Sequence, residues 1–151
     1  MRGVMIALAL GVAMLAGCSS NTNGSGLQVS YARVDLLDGA GAVTQSVTLV
    51  TDGNVGPSIP LTLSVPQRLR VTWLTADSVP DPGAADPSLA MRLAIPNASY
   101  GLTFVQSPSL RYEGSITSTK LYASPVFIPL QLFDNSRNAV VFSIQAHFVV
   151  N

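Results

Sequence analysis

From Leu27 onward apolar residues recur every second position, the repeat of a strand with one covered face, and no 3.6-residue stripe runs longer than two turns. Leu27, Val29 and Tyr31 alternate and lead to Val34 and Leu36, ahead of a DGAG turn at 38–41. Val43, Val47 and Leu49 follow, before TDGN at 51–54. In IPLTLSV the side chains of Ile59, Leu61, Leu63 and Val65 share a face. RLRVTWLT repeats the pattern with Leu69, Val71 and Trp73, which puts Arg68, Arg70 and Thr72 on the opposite face. A turn-rich loop at 77–88, DSVPDPGAADPS, separates this half from a strand of Leu89, Met91, Leu93 and Ile95 that ends at PNASYG, 96–101. Short segments near 102–105 and 110–116 come next.

The final pair predicts a hairpin, with arms at 126–133 and 139–150 around the loop DNSRN. In its second arm Val140, Phe142, Ile144, Ala146, Phe148 and Val150 face one way, and Ser143, Gln145 and His147 the other. The first arm begins in SPVFIP, where Pro125, Phe127 and Pro129 oppose Val126, Ile128 and Leu130, so both faces carry apolar weight. Proline cannot donate to a β-ladder and belongs on edges or at bulges. This segment therefore predicts an edge strand guarded against unwanted pairing, with Phe127 left for a neighbour.

About nine short strands with turn signals every 8–12 residues predict an all-β domain over 27–151, and about 125 residues suffice for a core of its own. The architecture resembles the immunoglobulin domains: an antiparallel β-sandwich of about 7–9 strands, with a small barrel as the alternative. Trp73 belongs in that core, much as the buried Trp of true immunoglobulin domains does, although their paired cysteines are missing.

Composition changes the picture at the amino end. Charged residues are only 11% of the chain, eight basic against eight acidic. Clustered Lys and Arg are absent, which sets nucleic acid aside as a partner. The opening MRGVMIALALGVAMLAG has one early cation, Arg2, and an apolar run too short for a permanent membrane span of about 20 residues; it suits a secretory leader. Residues 1–17 are read as a signal-peptide helix. Their removal leaves seven basic and eight acidic side chains, a formal charge of −1.

Leu15-Ala16-Gly17-Cys18 resembles the lipobox of bacterial lipoproteins at all four positions. The resemblance covers residues 1 to about 20. It implies that the Cys18 thiol carries a diacylglycerol, that cleavage falls before it, and that the new amino group is acylated. It also implies, through Ser19, an outer-membrane destination in a two-membrane cell. Each buried methylene contributes about 0.8 kcal/mol, so two or more acyl chains anchor stably where one does not. Cys18 is the chain's one cysteine, which leaves no internal disulfide. Residues 18–26 then form the lipidated cysteine and a small, polar, uncharged tether of roughly 15 Å r.m.s. span.

Candidates for chemistry are few. His147 is the chain's one histidine, predicted on the outer face of the last strand as a surface or partly covered imidazole, and no G-x-S-x-G elbow supplies a nucleophile. Glu113 is the one glutamate, and most of the seven aspartates lie in turns, so paired-carboxylate catalysis has little to work with. A zinc site lacks ligands. Asp77, Asp81 and Asp86 share one loop and are calcium candidates, but three prolines and the want of a closing glutamate favour a rigid connector. Tyr100, Tyr112 and Tyr122 could stack on a sugar if brought together, and Asn97 heads an N-A-S acceptor triplet.

The sequence thus predicts a lipid-anchored, non-catalytic binding or structural module of a bacterial envelope, without cofactors. It contacts the membrane through Cys18 and an envelope protein through Pro125, Phe127, Pro129, Arg68 and Arg70. A solute or glycan receptor using loops 77–88 and 96–101 is the alternative. An envelope hydrolase built on His147 is the third reading.

Overall fold

The computed structural model describes residues 26–51 and 56–151. The leader, Cys18 and most of the tether lie outside these residues. Among the described residues nine strands form two sheets around one core. β1 (Tyr31–Leu37), β2 (Val43–Leu49), β4 (Gln67–Leu74), β6 (Leu102–Gln106) and β7 (Glu113–Ser118) make the first, in the order β2-β1-β4-β7-β6. β3 (Ile59–Leu61), β5 (Leu89–Leu93), β8 (Tyr122–Asp134) and β9 (Ala139–Val150) make the second, in the order β3-β9-β8-β5.

Period-two alternation becomes burial directly. Val34, Leu69, Val71, Trp73 and Ile116 from the first sheet meet Ile59, Met91, Ile128, Leu130, Leu132 and Phe148 from the second, all at most 3% exposed. A fully buried side chain of this size contributes about 1.5–3 kcal/mol. Trp73 is in the core as expected, edge-on to Tyr112 and Phe142.

Aspartates close the hairpins. Asp38 accepts from the N–H groups of Ala40 and Ala42 at 2.9 and 2.8 Å between β1 and β2. Asp134 accepts from the Ser136 N–H and hydroxyl at 2.8 and 2.6 Å between β8 and β9. These short polar side chains mimic a backbone acceptor and fix each turn.

Several expectations are corrected. The sheets are not wholly antiparallel, because β3 runs parallel to β9. It is a three-residue edge strand interrupted by Pro60, so the longer alternation to Val65 does not continue as strand. Ser64 takes a left-handed φ of 60° and Val65 is exposed. An immunoglobulin sheet places its second strand between the first and fifth; here β1 lies between β2 and β4. In β1 the core-facing residues are Ala32, Val34 and Leu36, out of phase with Tyr31. Val140 points away from the core at 47% exposure, because the β8–β9 register shifts between Leu132 and Phe133.

Candidate functional site

On the outer face of the second sheet, Phe127 of β8 lies directly opposite His147 of β9. Val126, Ile128 and Leu130 turn inward, and the pleat sends Phe127 outward at 48% exposure. Its ring meets the imidazole edge to face, with centroids 4.6 Å apart. His147 is only 6% exposed, more covered than expected of an outer-face imidazole. The cover is Phe127 on one side and the connection before β3 on another, where Gly56 O lies 3.3 Å from Nδ1.

β8 is an edge in one half and interior in the other. Its pairing with β5 runs from Asp134 to Leu130, and the Ala94 N–H donates to Pro129 O at 2.9 Å. Before Pro129 that side has no neighbouring strand among the described residues. Alternate residues of a strand present their backbone groups to the same side, so Phe127 shares this edge with Pro129. Pro129 brings no N–H, nor does Pro125, which leaves the Phe127 N–H as the donor on offer.

Arg68 and Arg70 project from the outer face of the first sheet as expected, and both are drawn onto Glu113. Arg70 Nε lies 2.6 Å from Glu113 Oε1 and Arg68 Nη2 lies 3.3 Å from Oε2. The carboxylate is 7% exposed, while the guanidinium side chains are 42–44% exposed. Next to this cluster Asp35 is 3% exposed, 3.2 Å from Arg33 Nε and bonded by the Ser46 hydroxyl at 2.6 Å. A cleft of about 270 Å³ opens beside Arg68 and Glu113, walled by Val105, Gln106, Ser107 and Pro108. Nothing in the sequence pointed to that wall beyond a Ser-Pro turn at 107–108.

The three loop aspartates take separate roles. Asp77 is exposed. Asp81 is 5% exposed and accepts from the N–H groups of Gln28 at 2.6 Å and Gly83 at 2.8 Å, capping the 3₁₀ turn Pro82–Ala85. Asp86 accepts from the Ser88 N–H and hydroxyl, both at 2.8 Å, and these bonds hold its carboxyl below the usual carboxylate range. Among the described residues no three His, Cys, Asp or Glu side chains gather as a metal site.

Loops 77–88 and 96–101 leave opposite ends of β5, so they do not border one binding site. The first is pinned: Arg111 donates to Asp86 O and to Ala85 O, and the Tyr112 hydroxyl donates to Ala84 O at 2.6 Å. Burial pushes the Tyr112 phenol up to about 12. At the other end the Tyr122 hydroxyl donates to Tyr100 O and Lys120 Nζ to Ser99 O. Tyr100 and Tyr122 are therefore neighbours and Tyr112 is remote from them. Asn97 caps the 3₁₀ turn Ala98–Tyr100, its side chain accepting from Ser99 N at 2.9 Å.

Comparison of the chain with protein-family models, with curated proteins and with solved structures finds no match.

Proposed function

We propose that this chain is a lipid-anchored protein of a bacterial envelope, held in the outer membrane through Cys18, whose β domain serves as a non-catalytic binding or structural accessory module. One observation carries the reading: a short apolar leader runs straight into Leu15-Ala16-Gly17-Cys18, and a polar, uncharged stretch links it to the folded part. The chemistry of the domain supports it. Glu113, Asp35, Asp81, Asp86 and Asp134 are each engaged by donors of the fold itself. The His147 ring packs edge to face against Phe127, and its Nδ1 lies 3.3 Å from Gly56 O. An 11% charged chain has little colloidal protection, which suits a domain that is tethered and packed against a neighbour. Phe127 with its flanking prolines is the contact we assign to an envelope protein, because an exposed aromatic on a proline-guarded edge offers apolar area without inviting strand addition.

The test is the Cys18→Ser variant. Membrane partitioning is expected to be lost, and wild-type protein extracted in detergent is expected to bring a partner with it that Phe127→Ala releases. A variant that stays in the membrane fraction as before contradicts the anchor. Wild-type protein that is recovered alone and monomeric contradicts the partner.

A receptor reading has one observation in its favour, the cleft beside Arg68. A ligand held there at 100 times its dissociation constant would add about 2.7 kcal/mol of stability, visible as a thermal shift that Arg68→Ala abolishes.

A further inference from the structure

The first described residues are stitched to one end of the sandwich. The Gln28 N–H donates to Asp81 Oδ2 at 2.6 Å, and a Cβ on Gly83 would lie 2.9 Å from Leu27 Cα and 3.0 Å from Gly26 O, so the chain passes too close for any other residue. The Ser30 N–H donates to Leu74 O, Leu74 bridges to Pro80, and Asn135 N–H donates to Ser88 O. The Arg111 bonds to Ala85 and Asp86 bring the β6–β7 connection to the same place. This pole therefore consists of the 75–88 loop and the tips of the β6–β7 and β8–β9 hairpins. Three of the eight large exposed apolar side chains among the described residues belong to it: Val79 at 53%, Leu110 at 48% and Val140 at 47%.

Resting on the proposed lipidation of Cys18, we infer that this pole lies on the lipid surface, with Val79, Leu110 and Val140 among the headgroups. Seven residues lie between Cys18 and Gly26, and the eight steps from one to the other reach at most about 28 Å. β9 measures the molecule: Val140 stands at the near end, and Val150, paired with Tyr122, at the far end. Ten residues of strand span about 33 Å, so the near pole is within reach of the lipid and an inverted domain, with the far pole on the lipid, exceeds the leash. Apolar side chains at such a surface bury into the headgroup boundary and add to the acyl anchor. Exposed Asp77 beside Val79, and Arg137 with 53% of its side chain exposed, keep the contact superficial. Leu121, 64% exposed and next to Tyr122, then points into the aqueous space.

The test uses full-length lipidated protein carrying Val79→Cys, Leu110→Cys, Val140→Cys or Leu121→Cys; the alkylated Cys18 sulfur does not react. Each new thiol receives a polarity-sensitive fluorophore. The proteins are reconstituted into phosphatidylethanolamine–phosphatidylglycerol vesicles containing a headgroup nitroxide lipid. Labels at 79, 110 and 140 are expected to shift to the blue and to be quenched, and the label at 121 to do neither. Equal quenching at 121, or none at 79, 110 and 140 in protein that floats with the vesicles, overturns this orientation and leaves the anchor standing. Protein that fails to float overturns both.

Discussion

Glu113 is the residue on which the outer face of the first sheet is organised. Two guanidiniums converge on a carboxylate that the sheet has almost withdrawn from water. Removing the carboxylate leaves Arg68 and Arg70 side by side. Breaking a fully buried pair costs about 3–5 kcal/mol, but solvent screens these half-exposed arginines. Glu113→Gln is therefore expected to lose about 1–2 kcal/mol in urea denaturation. Two aspartates contribute to the acid limb of stability. The Ser88 N–H and hydroxyl hold Asp86 low, and the Ser136 hydroxyl, with the Ser136 N–H, holds Asp134 low. Both carboxyls titrate lower in the folded chain than in the unfolded one. Their contribution is full above the unfolded value of about 4 and is lost as pH falls through the folded values. Tyr112 acts in the opposite sense, since its phenol is pushed up to about 12. Its contribution is full below the unfolded value of about 10 and is lost as pH rises through the folded value. Urea midpoints measured across pH are expected to fall at both ends, and Tyr112→Phe to flatten the alkaline limb. The sequence named Glu113 as the one glutamate and placed Asp86 in a turn-rich loop, without the partners of either. The convergence on Glu113 joins positions more than forty apart, and the cover over His147 comes from Gly56, ninety-one positions away; neither has a local signal.

At the scale of the element, Gly114 shows how tightly β6 and β7 are matched. A Cβ there would run into the Phe104 ring and come 2.8 Å from Val105 O. Phe104 lies over the gap that glycine leaves in a strand, a device that restores packing where no side chain is present. Gly114→Ala is expected to cost about 1–3 kcal/mol by overpacking, read as a lowered thermal midpoint, with Phe104→Leu in the same chain recovering part of the loss. The strands with long, strict alternation, β4, β5 and the β8–β9 hairpin, could be read from sequence because a buried face imposes its period on the residues. β3 could not: Ile59, Leu61, Leu63 and Val65 keep the period, but Pro60 and the left-handed Ser64 stop the ladder after three residues. Val140 was lost for a related reason: the β8–β9 register shift skips Val141 within β9 itself, and such a skip leaves no mark on the alternation. The proline-guarded edge was legible in part. SPVFIP announced the missing donors, but that β5 covers only the second half of β8 depends on where β5 ends.

For the whole molecule, a two-sheet domain with one contiguous core, whose first described residues are pinned to it, makes a rigid body. The proposed anchor and the proposed orientation both depend on the sulfur at Cys18. All-β architecture was legible because periodicity and turn spacing are properties of the entire chain. Strand order was not, since which strands lie side by side depends on long-range pairing that the alternation does not encode. The most direct measurement is the mass of the amino-terminal peptide from protein extracted out of membranes. This account predicts a peptide that begins at Cys18 and carries a thioether-linked diacylglycerol with a further acyl chain on its amino group. A peptide retaining the residues before Cys18, or one in which the Cys18 thiol is free, contradicts it.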